Sequence, residues 1–321
     1  MNRFTMIIFT ALALILTGSA CQSSQGNNSD TRAVVKEISH YSPAVGRRMH
    51  FNIILPRGYD KSDQTYPVLY LLHGLTANYH QWKELAVPEY AERFHMIVVL
   101  PDGGNSWYVN WAESAGGQQN NWEDYIIQDL IGYIDANYRT IADRRGRAIG
   151  GLSMGGYGAL TLGLKHPALF ASVGSHSGAL KYAADQRKNL ENNEPVWVVW
   201  QNALKDDSSR AFGIAVEGFA SQRERTPRGK PFVTPADADA SDPFKLLPLV
   251  PADQLPHIYL DCGVDDRRLG ASQEFMGLLM RQNIPFTYGQ AGGAHNSAYW
   301  EREVLISMAV QYAVLLRNLW E

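Results

Sequence analysis

Arg147-Ala148-Ile149-Gly150-Gly151-Leu152-Ser153-Met154-Gly155-Gly156-Tyr157-Gly158 is the stretch on which the reading of this chain turns. Residues 147–152 form a short, nearly continuous apolar run and predict a buried strand. Beyond Ser153, Leu160, Leu162 and Leu164 precede Pro167 and predict a helix. A serine between strand and helix, flanked by small residues, is the context of a nucleophile elbow. There the serine occupies a sharp, strained turn, and side chains on either side would clash. The helix that starts at this point aims its free amides and positive end at the reaction centre. Gly151-Leu152-Ser153-Met154-Gly155 alone also describes an ordinary glycine-rich turn; the flanking strand and helix decide for a nucleophile.

Working outward, residues 33–38 and 49–55 read as strands bounded by Gly46 and the Pro56-Arg57-Gly58 turn signal. Apolar runs follow at 68–72, 96–100 and 258–260, the pattern of strands buried on both faces of a parallel sheet. Tyr125, Ile126, Leu130, Ile134 and Tyr138 share one helical stripe, and residues 301–319 predict a final amphipathic helix. This alternation predicts an α/β fold, a mostly parallel central sheet with helices on both faces. Residues 181–242 break it with Asn192-Asn193, Pro227, Gly229 and Pro231. About 60 residues are marginal as an independent core, so this stretch is expected as an insertion over the active site within a single domain, 32–321.

A serine hydroxyl needs a neighbouring base, and in this topology acid and histidine follow the nucleophile along the chain. The histidines beyond Ser153 are His166, His176, His257 and His295. His295 lies in Gly292-Gly293-Ala294-His295, a loop between the predicted 285–288 strand and the final helix, and is the candidate general base. His166 suits a helix end and His257 a strand start. His176 is a candidate lining residue of the site, with a structural role as the competing reading. The loop after the 258–260 strand offers Asp265 and Asp266 to orient the imidazole; Asp266 is preferred and Asp265 held in reserve. Oxyanion donors are expected from the Met154 amide and from Leu75, in the loop His73-Gly74-Leu75 that follows the 68–72 strand. His73 reads as a brace for that loop.

Composition excludes other chemistries. The chain has 321 residues, 45% hydrophobic and 19% charged, with a net charge of −3. That is an ordinary globular balance without the basic surplus a nucleic-acid binder needs. No His-Glu-x-x-His motif, phosphate loop or dinucleotide fingerprint occurs, so neither a metal nor a cofactor is expected. Two cysteines, Cys21 and Cys262, exclude a disulfide framework. Arg223, Arg225, Arg228 and Lys230 alternate with Glu224 and read as a solvated surface. Trp107, Tyr108 and Trp111 are candidates to stack on a sugar or aromatic acid; packing of their own loop is the alternative.

At the start, Arg3, an apolar run at 6–16 and Gly18-Ser19-Ala20 describe an export signal over residues 1–20. Residues 21–31 are polar and read as a flexible tether. Cys21, directly after the small residues, resembles a bacterial lipoprotein processing site. A lipid on Cys21 would leave a periplasmic or surface-anchored protein, and simple cleavage would leave a released one.

Taken together, several segments resemble the esterase D family. They are Leu71-Leu72-His73-Gly74-Leu75, Trp82, Pro101-Asp102-Gly103-Gly104-Asn105-Ser106-Trp107-Tyr108, the 148–160 elbow, Cys262-Gly263-Val264-Asp265-Asp266 and Gly293-Ala294-His295-Asn296-Ser297-Ala298-Tyr299-Trp300. That family includes feruloyl and acetyl esterases, S-formylglutathione hydrolases and secreted mycolyltransferases. The resemblance implies an α/β-hydrolase fold, a triad of Ser153, Asp266 and His295, and oxyanion donors at Leu75 and Met154. It further implies cleavage of short-acyl or aromatic-acyl esters, with acylated polysaccharide as a candidate substrate. Acyl transfer to a sugar or lipid alcohol is the alternative activity, and a non-catalytic carbohydrate-binding scaffold the remote one.

Overall fold

Each of the predicted apolar runs becomes a strand. In the computed structural model, which describes residues 33–199, 210–211, 214–215 and 221–320, eight strands form the main sheet. They are β1 (Val34–Ser42), β2 (Arg47–Leu55), β3 (Val68–Leu72), β4 (Ile97–Pro101), β5 (Arg147–Leu152), β6 (Ser172–His176), β7 (His257–Gly263) and β8 (Phe286–Ala291). Their spatial order is β1-β2-β4-β3-β5-β6-β7-β8. Every pairing from β4 to β8 is parallel, and β1 and β2 add an antiparallel edge. β3, β4, β5 and β6 are buried at every position, which explains their lack of polar alternation. The export signal, the tether and Cys21 lie outside the described residues.

The period of two splits these strands between two cores. Val68, Tyr70, Leu72, Val99 and Ile149 face one side, where they meet α1 (Met154–Lys165), the helix after Ser153. Leu69, Leu71, Val98, Leu100 and Ala148 face the other, against the final helix, Ser297–Trp320. That helix begins four residues before the predicted 301, because Asn296 Oδ1 accepts the Tyr299 N–H at 3.1 Å and starts the first turn early.

The 181–242 segment, as far as it is described, sits on the nucleophile helix. Its first helix, α2 (Tyr182–Glu191), is tied to the short Pro235–Asp239 helix by Arg187 Nε and Asp239 Oδ1 at 3.0 Å. Tyr157 of α1 donates to Ser241 O at 2.7 Å. Strand Gly229–Lys230 pairs antiparallel with Glu113–Ser114, joining the segment to the loop after β4.

The junction of β5 and α1 leaves no room for side chains. A Cβ on Gly155 would stand 2.3 Å from Leu72 O and 2.7 Å from His73 O, both backbone atoms of a central strand and its loop. Gly155→Ala is therefore expected to destabilise the protein by about 1–3 kcal/mol through overpacking. Urea unfolding checks this, as a lower midpoint at unchanged slope.

Candidate active site

Three strand ends bring the site together. Ser153 follows β5 with φ 53° and ψ −112°, a backbone that non-glycine residues rarely adopt. Its N–H donates to His176 O at 2.9 Å, and its carbonyl accepts from Tyr157 N and Ala179 N, each at 3.0 Å. Held at both ends, the turn leaves the hydroxyl projecting from the top of the sheet.

His295 stands between β8 and the final helix, with Nε2 2.9 Å from Ser153 Oγ. Its Nδ1 lies 2.9 Å from Asp266 Oδ2 and 3.1 Å from Oδ1. The ring meets Trp300 edge-on, 4.9 Å between centroids. Asp266 is buried, whereas Asp265 is exposed and makes its bond through the backbone, Asp265 N to Gly293 O at 3.0 Å. Burial opposes ionisation of Asp266, yet the His295 ring and the Arg268 N–H hold its carboxyl below the ordinary value. An ionised carboxylate on Nδ1–H leaves Nε2 with a lone pair aimed at the serine proton, the arrangement of a general base.

Neither the Leu75 nor the Met154 N–H donates to another described residue. Met154 opens α1, whose first amides are free by construction. For Leu75 the direction is set from the far side of its peptide. Gly74 O accepts from His73 Nδ1 at 2.8 Å and from Ala77 N at 3.2 Å. Because the peptide is planar and trans, the Leu75 N–H points away from those two donors. On its other side the ring is seated by the glycine loop, with His73 Nε2 2.8 Å from Gly103 N and 3.2 Å from Asp102 Oδ1. Gly74 N donates to Gln81 Oε1 at 2.6 Å, a brace that no sequence signal announced.

Four candidate substrate contacts take structural places instead. His176 is fully buried, with Nδ1 2.6 Å from Asp261 Oδ2 and Nε2 2.8 Å from Ser307 Oγ. It ties β6 and β7 to the final helix and reaches no open surface. Trp107 lies flat on Tyr182, 3.5 Å between centroids at 1°, and donates to Val198 O. Tyr108 is fully buried and donates to His73 O at 3.0 Å. Trp111 donates to Ser106 O at 3.0 Å and is 6% exposed. The faces a sugar would need are covered by protein, so these rings pack the loop.

Arg225 also departs from its expected solvated place. It is 7% exposed, with Nη2 3.0 Å from Asp102 Oδ1 and Nη1 3.3 Å from Oδ2. Burial alone would raise the Asp102 pKa; Arg225, His73 and the Gly104 N–H overcome that and hold the carboxyl far below the usual range.

A family model whose description reads “Putative esterase” matches residues 42–304. An esterase of Mycobacterium tuberculosis is 41% identical over 145 residues, 44% of this chain and 32% of that protein, so the match spans about a third of the relative's length. An acetyl esterase of Caldicellulosiruptor saccharolyticus is 26% identical over 282 residues, 84% of this chain and 95% of that protein. Among solved structures, the S-formylglutathione hydrolase of Staphylococcus aureus superposes with TM-score 0.64 at 22% identity, covering 87% of this chain and 99% of its own. This last likeness shows the fold, that of an α/β hydrolase.

The Asp102–Arg225 pair yields a pH-dependent prediction. Asp102→Asn leaves a buried guanidinium without its counter-ion and is expected to cost about 3 kcal/mol or more at neutral pH. The wild-type carboxylate has a depressed folded pKa. Its contribution is whole above the ordinary value of 3.8 and fades as pH falls below it. The stability gap between wild type and variant, measured by urea unfolding, should therefore close only in that acidic range.

Proposed function

The chain belongs to this esterase family, and we propose that it is a serine carboxylesterase working through an acyl-enzyme. The observation that carries the reading is His295 Nε2 at 2.9 Å from Ser153 Oγ with Asp266 at 2.9 Å behind Nδ1. Ser153 Oγ attacks the ester carbonyl carbon, and its proton passes to His295 Nε2. The Leu75 and Met154 N–H groups donate to the carbonyl oxygen as negative charge develops on it. Asp266 stays ionised and stabilises the imidazolium, which then protonates the departing alcohol. Water attacks the acyl-enzyme carbon, giving a proton to His295, and the acid leaves as Ser153 regains its hydrogen.

Short-acyl or aromatic-acyl esters, including those on polysaccharide, are the substrates we propose. The acetyl esterase relative, aligned over 84% of this chain, supports the short-acyl arm. The same acyl-enzyme would serve transfer to a sugar or lipid alcohol. Products formed with an added alcohol separate the two outcomes, a new ester meaning transfer and free acid meaning hydrolysis.

We also propose export, with lipid on Cys21, supported by Arg3, the 6–16 apolar run and Gly18-Ser19-Ala20. Cys21→Ser should move the full-length protein from the membrane fraction to the soluble fraction; retention at the membrane would refute the anchor.

Catalysis has its own test. Ser153→Ala should lower kcat/KM for a p-nitrophenyl ester by about 10⁴-fold or more and abolish labelling by a fluorophosphonate probe. Asp266→Asn should be crippling and Asp265→Asn nearly silent. Equal losses at the two aspartates would overturn the assignment of the acid.

A further inference from the structure

The bonds to Gly74 O hold one side of the loop that carries Leu75, and the other side is held from outside the loop. Thr76, the next residue, has φ 67°, in the left-handed region that costs a non-glycine residue stability. Its two backbone polar groups are held by side chains from two other parts of the chain. Thr76 N donates to Asn105 Oδ1 at 2.8 Å, and Thr76 O accepts from Gln222 Nε2 at 2.8 Å. The ring closes between those side chains, with Asn105 Nδ2 donating to Gln222 Oε1 at 3.1 Å. Asn105 is fully buried and Gln222 is 4% exposed, so water does not substitute for these partners.

Gln222 comes from the inserted segment, on α3 (Gln222–Arg225), a single turn fixed by the Ser221/Glu224 capping box. The same turn reaches the loop once more and holds Asn105 as well. Arg225 Nη2 donates to Ala77 O, and Arg225 O accepts from Asn105 N at 3.1 Å. Asn105 Nδ2 also donates to Thr226 Oγ1 at 2.9 Å, directly after the turn.

We propose that Gln222 is a positioning residue for oxyanion stabilisation. With Asn105 it clamps Thr76 in its left-handed backbone and so fixes the direction of the neighbouring Leu75 N–H. The segment that covers the nucleophile helix thereby sets the geometry of the oxyanion hole. Gln222 itself touches no reacting atom. This inference rests on the esterase reading and on Leu75 as an oxyanion donor.

The consequence is a loss confined to the transition state. Gln222→Leu keeps the bulk and removes both bonds. Gln222→Glu keeps the acceptor for Asn105 and sets a carboxylate against Thr76 O. With p-nitrophenyl acetate as probe, each is expected to lower kcat by roughly 10–100-fold, the scale of a misplaced oxyanion donor. KM should stay within about twofold, since ground-state binding is not involved. The pH profile should keep its shape, because the Ser153–His295–Asp266 relay is untouched.

Asn105→Ala combined with Gln222→Leu should be no slower than the worse single variant, since both open one ring. Losses that multiply, a change confined to KM, or unchanged kcat in either folded variant would overturn the proposal. Circular dichroism and thermal melting identify the folded variants, and the Glu variant, matched in size, carries the test if the Leu variant does not fold. If the wild type hydrolyses no ester, the esterase reading fails; if it does and the Gln222 variants match it, this inference alone fails.

Discussion

Everything at the site depends on a backbone turn that L-amino acids resist. Ser153 sits at φ 53° and ψ −112°, a conformation worth about 1–3 kcal/mol of strain that only surrounding structure can maintain. The restraint comes from the middle of the sheet. His176, at the end of β6, accepts the Ser153 N–H, while Ala179 and Tyr157 hold its carbonyl. Gly151 and Gly155 complete the constraint, because a Cβ at either would fall within 2.4 Å of a backbone oxygen. Ser153 is only half-buried although its glycine neighbours are packed against main chain.

Relative placement of Asp266 and His295 is also a main-chain matter. β7 and β8 run parallel and end together, and the loops beyond them are hooked by Val264 N to Ala291 O and Asp265 N to Gly293 O. The acid loop therefore cannot move without the histidine loop. Beneath them buried His176, with Nδ1 against Asp261 and Nε2 against Ser307 Oγ, joins the sheet to the helix that begins just after His295.

What could be read from the sequence was what local pattern encodes. Strands buried on both faces show as apolar runs, and the serine elbow shows as glycines flanking a serine where strand becomes helix. The 258–260 strand and the Gly292-Gly293 loop placed Asp266 and His295 at neighbouring strand ends. What could not be read were roles settled by distant partners. Trp107 and Tyr108 take left-handed backbones, φ 62° and 58°, that turn their rings inward onto Tyr182 and α1. An aromatic that packs and an aromatic that stacks on a ligand are the same letter. Arg225 looked solvated among its charged neighbours, because the aspartate that makes its burial tolerable lies 123 residues earlier.

The same reasoning explains why the inserted segment was opaque. Amide side chains such as Asn105 and Gln222 carry no periodicity, and their meaning lies in completing each other's hydrogen bonds across 117 residues. Once Thr76 adopts its left-handed backbone, its N–H and carbonyl meet no backbone partner among the described residues, and in this half-buried place leaving them unpaired is costly. Some part of the chain must answer both groups, and a one-turn helix with a planar amide does so in a single residue. A segment recruited in that way is no passive cover. Its conformation enters the direction of the Leu75 N–H, so changes in how it seats on α1 act on the transition state.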